Sequence, residues 1–135
     1  MKRLSILVKD ETAPLEAVVL GIAQDFGGEP SIEEAYDPKS KEHIKAGTFP
    51  VENDLIEEMQ AFTAVFEKYN IEVYRPENIK DYNQVFSRDI AFVIDEQFIV
   101  PNILEDRARE FEAISKVVEQ IDSSLVVFLL RQHRL

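Results

Sequence analysis

The sequence predicts an α/β protein built on a repeated strand, strand, helix, strand unit. Three observations predict it. Apolar runs of strand length are bounded by turn residues, two longer stretches carry apolar residues at helical spacing, and the same order of elements occurs twice in 135 residues. A repeat of this kind without sequence identity is what a propeller-like or pseudosymmetric α/β assembly shows.

The first unit begins with "LSILV" (4–8), a short apolar strand, which "KDETAP" turns toward a second strand in "LEAVVLGIA" (15–23); the two are expected to pair. Residues 24–50 lack periodicity and hold "FGGEP", "YDPKS" and "GTFP", so they read as an extended surface loop. Leu55, Met59, Phe62 and Phe66 step by four, three and four, which is one face of a helix over 51–69. Asn53 is the expected N-cap, and the acids after it complement the helix dipole. "NIEVYRP" then stops the helix and starts a strand that Pro76 ends.

The second unit opens with "AFVI" and "QFIV", read as a tight hairpin around Asp95 and Glu96, although neither is the favoured Gly. Leu104, Ala108, Phe111, Ile114, Val118 and Ile121 mark a second helix, and "SLVVFLL" a closing strand. The chain is therefore expected to be one partial α/β domain, divided into a module over 1–76 and another over 77–135.

A chain of this length can bury a core, and 45% hydrophobic residues with four Gly and six Pro mark it as globular. The 26 acids against 15 bases give a net charge of −11, which repels nucleic acid and anionic membrane surfaces and favours a cationic small ligand. The longest apolar run, "LVVFLL" (125–130), is too short to span a bilayer. Bare at a sheet edge, it would invite association into a homo-oligomer. With no cysteine, the chain has no disulfide, no zinc thiolate site and no thiol nucleophile of its own. A cytoplasmic location is the default expectation. His43 and His133 lie on unrelated segments with no acid at ligand spacing, so no metal site is expected. "FGGEP" lacks a phosphate-binding pattern, and no cofactor is expected.

Arg88 and Asp89 stand directly before the apolar run that opens the hairpin of the second unit. A half-buried carboxylate there is costly unless a structural partner or a ligand pairs with it. Because adjacent strand residues point to opposite faces, only one of the two is expected to face a pocket. Residue chemistry alone reads Asp89 as a strand-start residue paired with an Arg or backbone amides, Phe86 as core, Asn83 as a turn residue, and Arg107 and Arg109 as a solvated helix face.

The stretches "APLEAVVLG" (13–21), "LIEEMQAFTAVFEKYNIEVYRP" (55–76) and "NQVFSRDIAFVIDEQFIVPNILEDRAREFE" (83–112) resemble the N-terminal part of the guanidino-group-modifying, or pentein, superfamily. That superfamily contains amidinotransferases, arginine deiminases and dimethylarginine dimethylaminohydrolases on a five-module α/β propeller. Its most specific element here is Phe-x-Arg-Asp followed by a hairpin and an Arg-rich helix start. The resemblance implies about two of five modules and a guanidino substrate such as arginine. It further implies that Asp89 accepts hydrogen bonds from the substrate guanidinium, a planar charge-assisted pairing; Arg88, pointing to the other face, is then expected to be structural. By the same resemblance Asn83 and Phe86 line the pocket, and Arg107 or Arg109 holds the substrate carboxylate.

The family reaction also needs a cysteine thiolate, a histidine acid/base and a further acid, supplied in relatives by later modules. None of those motifs occurs here, so the chain reads as a fragment, a truncation or a divergent half-length relative, inactive alone. Two functions follow: part of an amidinotransferase-like or deiminase-like enzyme completed outside this chain, or a non-catalytic binding or assembly module that kept the fold.

Overall fold

Short strands and helices joined by tight turns make up the computed structural model, which describes residues 3–129. Strand β1 (Ala17–Val19) is followed by helices α1 (Pro38–Ala46) and α2 (Glu52–Lys68), then strand β2 (Glu72–Tyr74). Strands β3 (Phe92–Ile94) and β4 (Gln97–Val100) come next, then the short helices α3 (Ala108–Glu112) and α4 (Ser115–Val118) and strand β5 (Val126–Phe128). The second half thus runs strand, strand, helix, strand as the pattern predicts.

The first half differs. β1 does not pair with residues 4–8 but runs parallel to β2, Val18 opposite Val73, with α1 and α2 forming the crossover that parallel pairing requires. Residues 4–8 make no strand; Val8 forms a single antiparallel bridge to Asp95, at the turn of the β3–β4 hairpin. Asp10 explains the separation, since its carboxylate accepts from the Thr12 and Ala13 amides and turns the chain away.

The stretch 24–50 is not a plain loop, because α1 sits within it. Asp37 accepts from the Ser40 amide as N-cap, Pro38 takes the first helical position, and Gly47 ends the helix at φ 68°. Periodicity missed α1 because it buries no residue, so its sequence carries no apolar stripe.

α2 is the expected long helix, but its N-cap is Val51, without a side-chain cap bond, and not Asn53. A tertiary contact fixes its start instead: the Glu52 carboxylate accepts from the Asp25 amide. Leu55, Met59 and Phe66 are half-buried, whereas Phe62 is exposed and its ring packs against that of Phe66, tilted by 38° with centroids 4.5 Å apart. Arg75 donates to Thr63 at 2.6 Å and pins the end of β2 to this helix.

In the second half, β3 and β4 form the expected hairpin, with Ile94 opposite Gln97 and Asp95 at φ 51° taking the left-handed position usually given to Gly. β5 joins β4 in parallel and forms one edge of the three-stranded sheet. The expected second helix is broken into α3 and α4. At the break the Ala113 carbonyl accepts from the Glu77 amide at 2.8 Å, so a tertiary bond replaces helical continuation.

Ile90, Phe98, Val100, Ile114 and Ile121 form the main core, with Val19 of β1 and Phe111 of α3 packed against it. Two polar bonds join the halves beside this core: the Ile22 amide donates to the Gln84 carbonyl at 3.1 Å, and the Ser87 hydroxyl donates to the Val19 carbonyl at 2.7 Å. Both anchor the segment 83–89. No helix among the described residues is long and apolar enough to cross a membrane.

Candidate guanidinium cleft

Segment 83–89 is irregular because its polar groups are consumed by anchors on either side. Gln84 is 2% exposed; its side-chain amide donates to the Glu77 carbonyl and accepts from the Ile79 amide, both at 2.8 Å. The Asn83 side chain accepts from the Val85 amide at 3.1 Å, which makes a local Asx turn. Ser87–Asp89 then forms one turn of 3-10 helix, and the strand begins only at Phe92.

Arg88 and Asp89 are therefore not strand residues, and the alternation expected of them does not operate. Their surroundings differ all the same, although they remain an ion pair, with Arg88 Nε 3.7 Å from Asp89 Oδ1. The Arg88 side chain is 84% exposed and lies 6.0 Å from the Phe86 ring centroid, while Asp89 turns into a cleft. That cleft, of ≈ 550 Å³, lies between segment 83–89, the start of α3 and the segment from Phe26 to Ser40.

Asn83, Phe86, Asp89 and Arg107 all line this cleft; Arg109 does not, and its guanidinium instead lies 5.5 Å from the centroid of the Tyr82 ring. Phe26 and Phe49 stack at 6.5 Å on the opposite wall. Gly27 and Gly28, at φ 98° and 75°, let the backbone turn between Phe26 and Pro30 in a conformation that side chains rarely adopt. Tyr36 and Tyr82 close the rim by donating to the side chain and the backbone carbonyl of Asp106. Burial raises the Tyr82 phenol pKa, so it stays a donor near neutral pH.

The lining carries six carboxylates, of Glu29, Glu34, Asp37, Asp89, Asp106 and Glu110, against the one guanidinium of Arg107. Arg107 is already engaged. Its Nε and Nη2 donate to Glu110 at 2.5 and 3.0 Å, and its Nη1 donates to Asp89 Oδ2 at 3.1 Å. The Glu110 hydrogen bonds, followed by those of Asp89, raise its pKa against the opposing effect of burial. The Asp89 side chain is 43% exposed, so part of its carboxylate remains open to the cleft. An acceptor of this kind in an acidic, half-enclosed cleft suits a planar cation.

Glu110 and Gln84 went unread in the sequence. Glu110 had a signal, since Arg107 and Glu110 stand three apart at a helix start, the spacing of a side-chain pair. Gln84 had none, because its partners are backbone groups five and seven residues away. Of the two histidines, His43 lies within α1 and bonds Thr48 at 2.8 Å, and His133 lies outside the described residues.

This architecture is the amidinotransferase-like α/β fold. Two solved structures share it: inosamine-phosphate amidinotransferase from Streptomyces griseus, at TM-score 0.68 and 22% identity over 96% of this chain and 44% of that one, and SxtG, an amidinotransferase of the saxitoxin biosynthetic pathway from Microseira wollei, at TM-score 0.69 and 15% identity over 95% and 44%. The chain spans less than half the length of either. Neither a protein-family model nor a curated protein matches it.

Proposed function

We propose that this chain supplies the guanidinium-holding wall of an amidinotransferase-like or deiminase-like site acting on a guanidino compound such as arginine. One observation carries this reading: Asn83, Phe86 and Asp89 share one wall of an acidic cleft, with the Asp89 carboxylate partly open. Asp89 is the guanidinium acceptor, Phe86 offers a ring face to the planar cation, and Asn83 shapes the turn beside them. Arg107, with its guanidinium engaged by two carboxylates, is a poor receptor for a third.

On this reading the chain corresponds to about two of five propeller modules, 1–76 and 77–135, and works in the cytoplasm. The thiolate that attacks the guanidinium carbon and the histidine that moves the proton come from residues beyond it. The 135-residue chain alone then releases neither citrulline nor ornithine from arginine. Release of either by the purified chain would overturn that. Sequencing past the codon for Leu135 in all three frames tests the larger reading: a downstream Glu-Gly-Gly-Asp, His and Cys supports it.

The absence of any cysteine favours a second reading, a non-catalytic module that keeps the cation cleft. It predicts guanidinium binding without those downstream motifs.

A further inference from the structure

Glu110 is 2% exposed, the one buried carboxylate among the described residues. A buried charge is costly and is often replaceable by packed apolar groups without loss of stability, so its presence beside the cleft calls for a local reason. Among the described residues the one hydrogen-bonded partner of its carboxylate is Arg107, which meets it through the Nε and Nη2 edge in a two-pronged pairing. That pairing leaves Arg107 one contact to Asp89, through Nη1. Asp89 Oδ1 lies 3.7 Å from Arg88 Nε, at the solvent-facing side.

The position of Glu110 governs what Arg107 does to Asp89. A guanidinium prefers two-pronged pairing with a carboxylate, and Asp89, at 3.1 Å, is the other carboxylate in contact with Arg107. Without the charge of Glu110, the Arg107 fork can turn onto Asp89 and occupy the edge that a guanidinium ligand needs. We propose that Glu110 is a positioning residue that sequesters Arg107 and keeps the Asp89 carboxylate available to a guanidinium cation. The inference rests on the reading of Asp89 as a guanidinium acceptor, and it assigns the buried pair a part in ligand selectivity beyond stability.

The test has two arms on the 135-residue chain. In the first, the structure of Glu110→Gln, which keeps the side-chain shape, is determined. Arg107 is expected to make both contacts to Asp89; Arg107 remaining on residue 110 would overturn the inference. In the second, methylguanidinium is titrated against the backbone amide resonances of residues 83–89. Glu110→Gln is expected to bind about tenfold more weakly than wild type, the loss of one charge-assisted contact. Arg107→Met combined with Glu110→Gln removes the competitor and leaves no buried charge at position 110. It is expected to recover binding to within about threefold of wild type, because the Asp89 carboxylate is again free. A purely structural Glu110 predicts a double variant no better than the single one, and that result would overturn the inference. If Glu110→Gln fails to fold, the double variant alone decides, a folded double variant without binding counting against the proposal. Failure of wild type to bind methylguanidinium overturns the Asp89 reading instead, and the first arm still decides what Glu110 does to Arg107.

Discussion

Replacing Gln84 with Ala removes the side chain that clamps the base of the cleft wall, and the structure sets the magnitude. Two side-chain hydrogen bonds of 2.8 Å disappear, leaving the Glu77 carbonyl and the Ile79 amide without that partner. An orphaned buried group costs about 1–3 kcal/mol, but Glu77 is exposed and Ile79 half-buried, so water reaches them and each loss falls toward the lower end. Truncating a side chain in a 2% exposed residue adds a void. The sum is about 2–3 kcal/mol, which for a chain of this length lowers Tm by roughly 6–15 °C. Urea unfolding followed by circular dichroism gives the free energy, and an unchanged denaturant slope shows that the folded state kept its extent. Stability within about 0.5 kcal/mol of wild type, the range of an ordinary surface substitution, would refute the clamp.

Other perturbations test separate parts of the account. A Cβ on Gly21 would sit 2.6 Å from the Val85 carbonyl carbon and closer still to the carbonyl oxygens of Gln84 and Val85; Gly21→Ala is expected to cost at least about 1–3 kcal/mol in the same urea assay, because rigid backbone must shift. The Ser40 hydroxyl, and then its amide, hold the Asp37 pKa below the ordinary 3.8. Its cap on α1 is therefore fully present above that value and lost as pH falls through the lower folded value, so amide exchange in α1, corrected for intrinsic rates, should quicken only in that acid range, and Asp37→Ala should abolish the pH response. Among the described residues β5 is an edge of its sheet, with Phe128 and Leu129 58% and 48% exposed, which predicts self-association through this strand; a monomer by light scattering at high concentration would count against it.

The parts of the fold that were legible in the sequence are those in which local pattern and tertiary environment agree. The β3–β4 hairpin and α2 follow from alternation and helical spacing because their side chains meet the surroundings that their pattern anticipates. β1 was located, but its partner was not, since a three-residue strand specifies neither partner nor direction. The 104–121 stretch has good helical spacing and is still broken, because the Glu77 amide claims the Ala113 carbonyl. In the cleft, Asn83, Phe86, Asp89 and Arg107 line one cavity, and Arg109 is set apart by its place over Tyr82. The opposite wall, from Phe26 to Ser40, was illegible because glycine turns and a solvent-facing helix build it, and neither leaves periodicity to read.

Arginine titrated into the wild-type chain and into Asp89→Asn, with backbone amide shifts recorded across residues 83–89, tests the central claim most directly. The substitution keeps the shape of the side chain and removes its charge. Wild type should show saturable shifts confined to the cleft, and Asp89→Asn should bind at least about tenfold more weakly, the cost of one charge-assisted hydrogen bond. An Asp89→Asn chain that remains folded and binds arginine with wild-type affinity would contradict the account and leave Asp89 as a structural partner of Arg107.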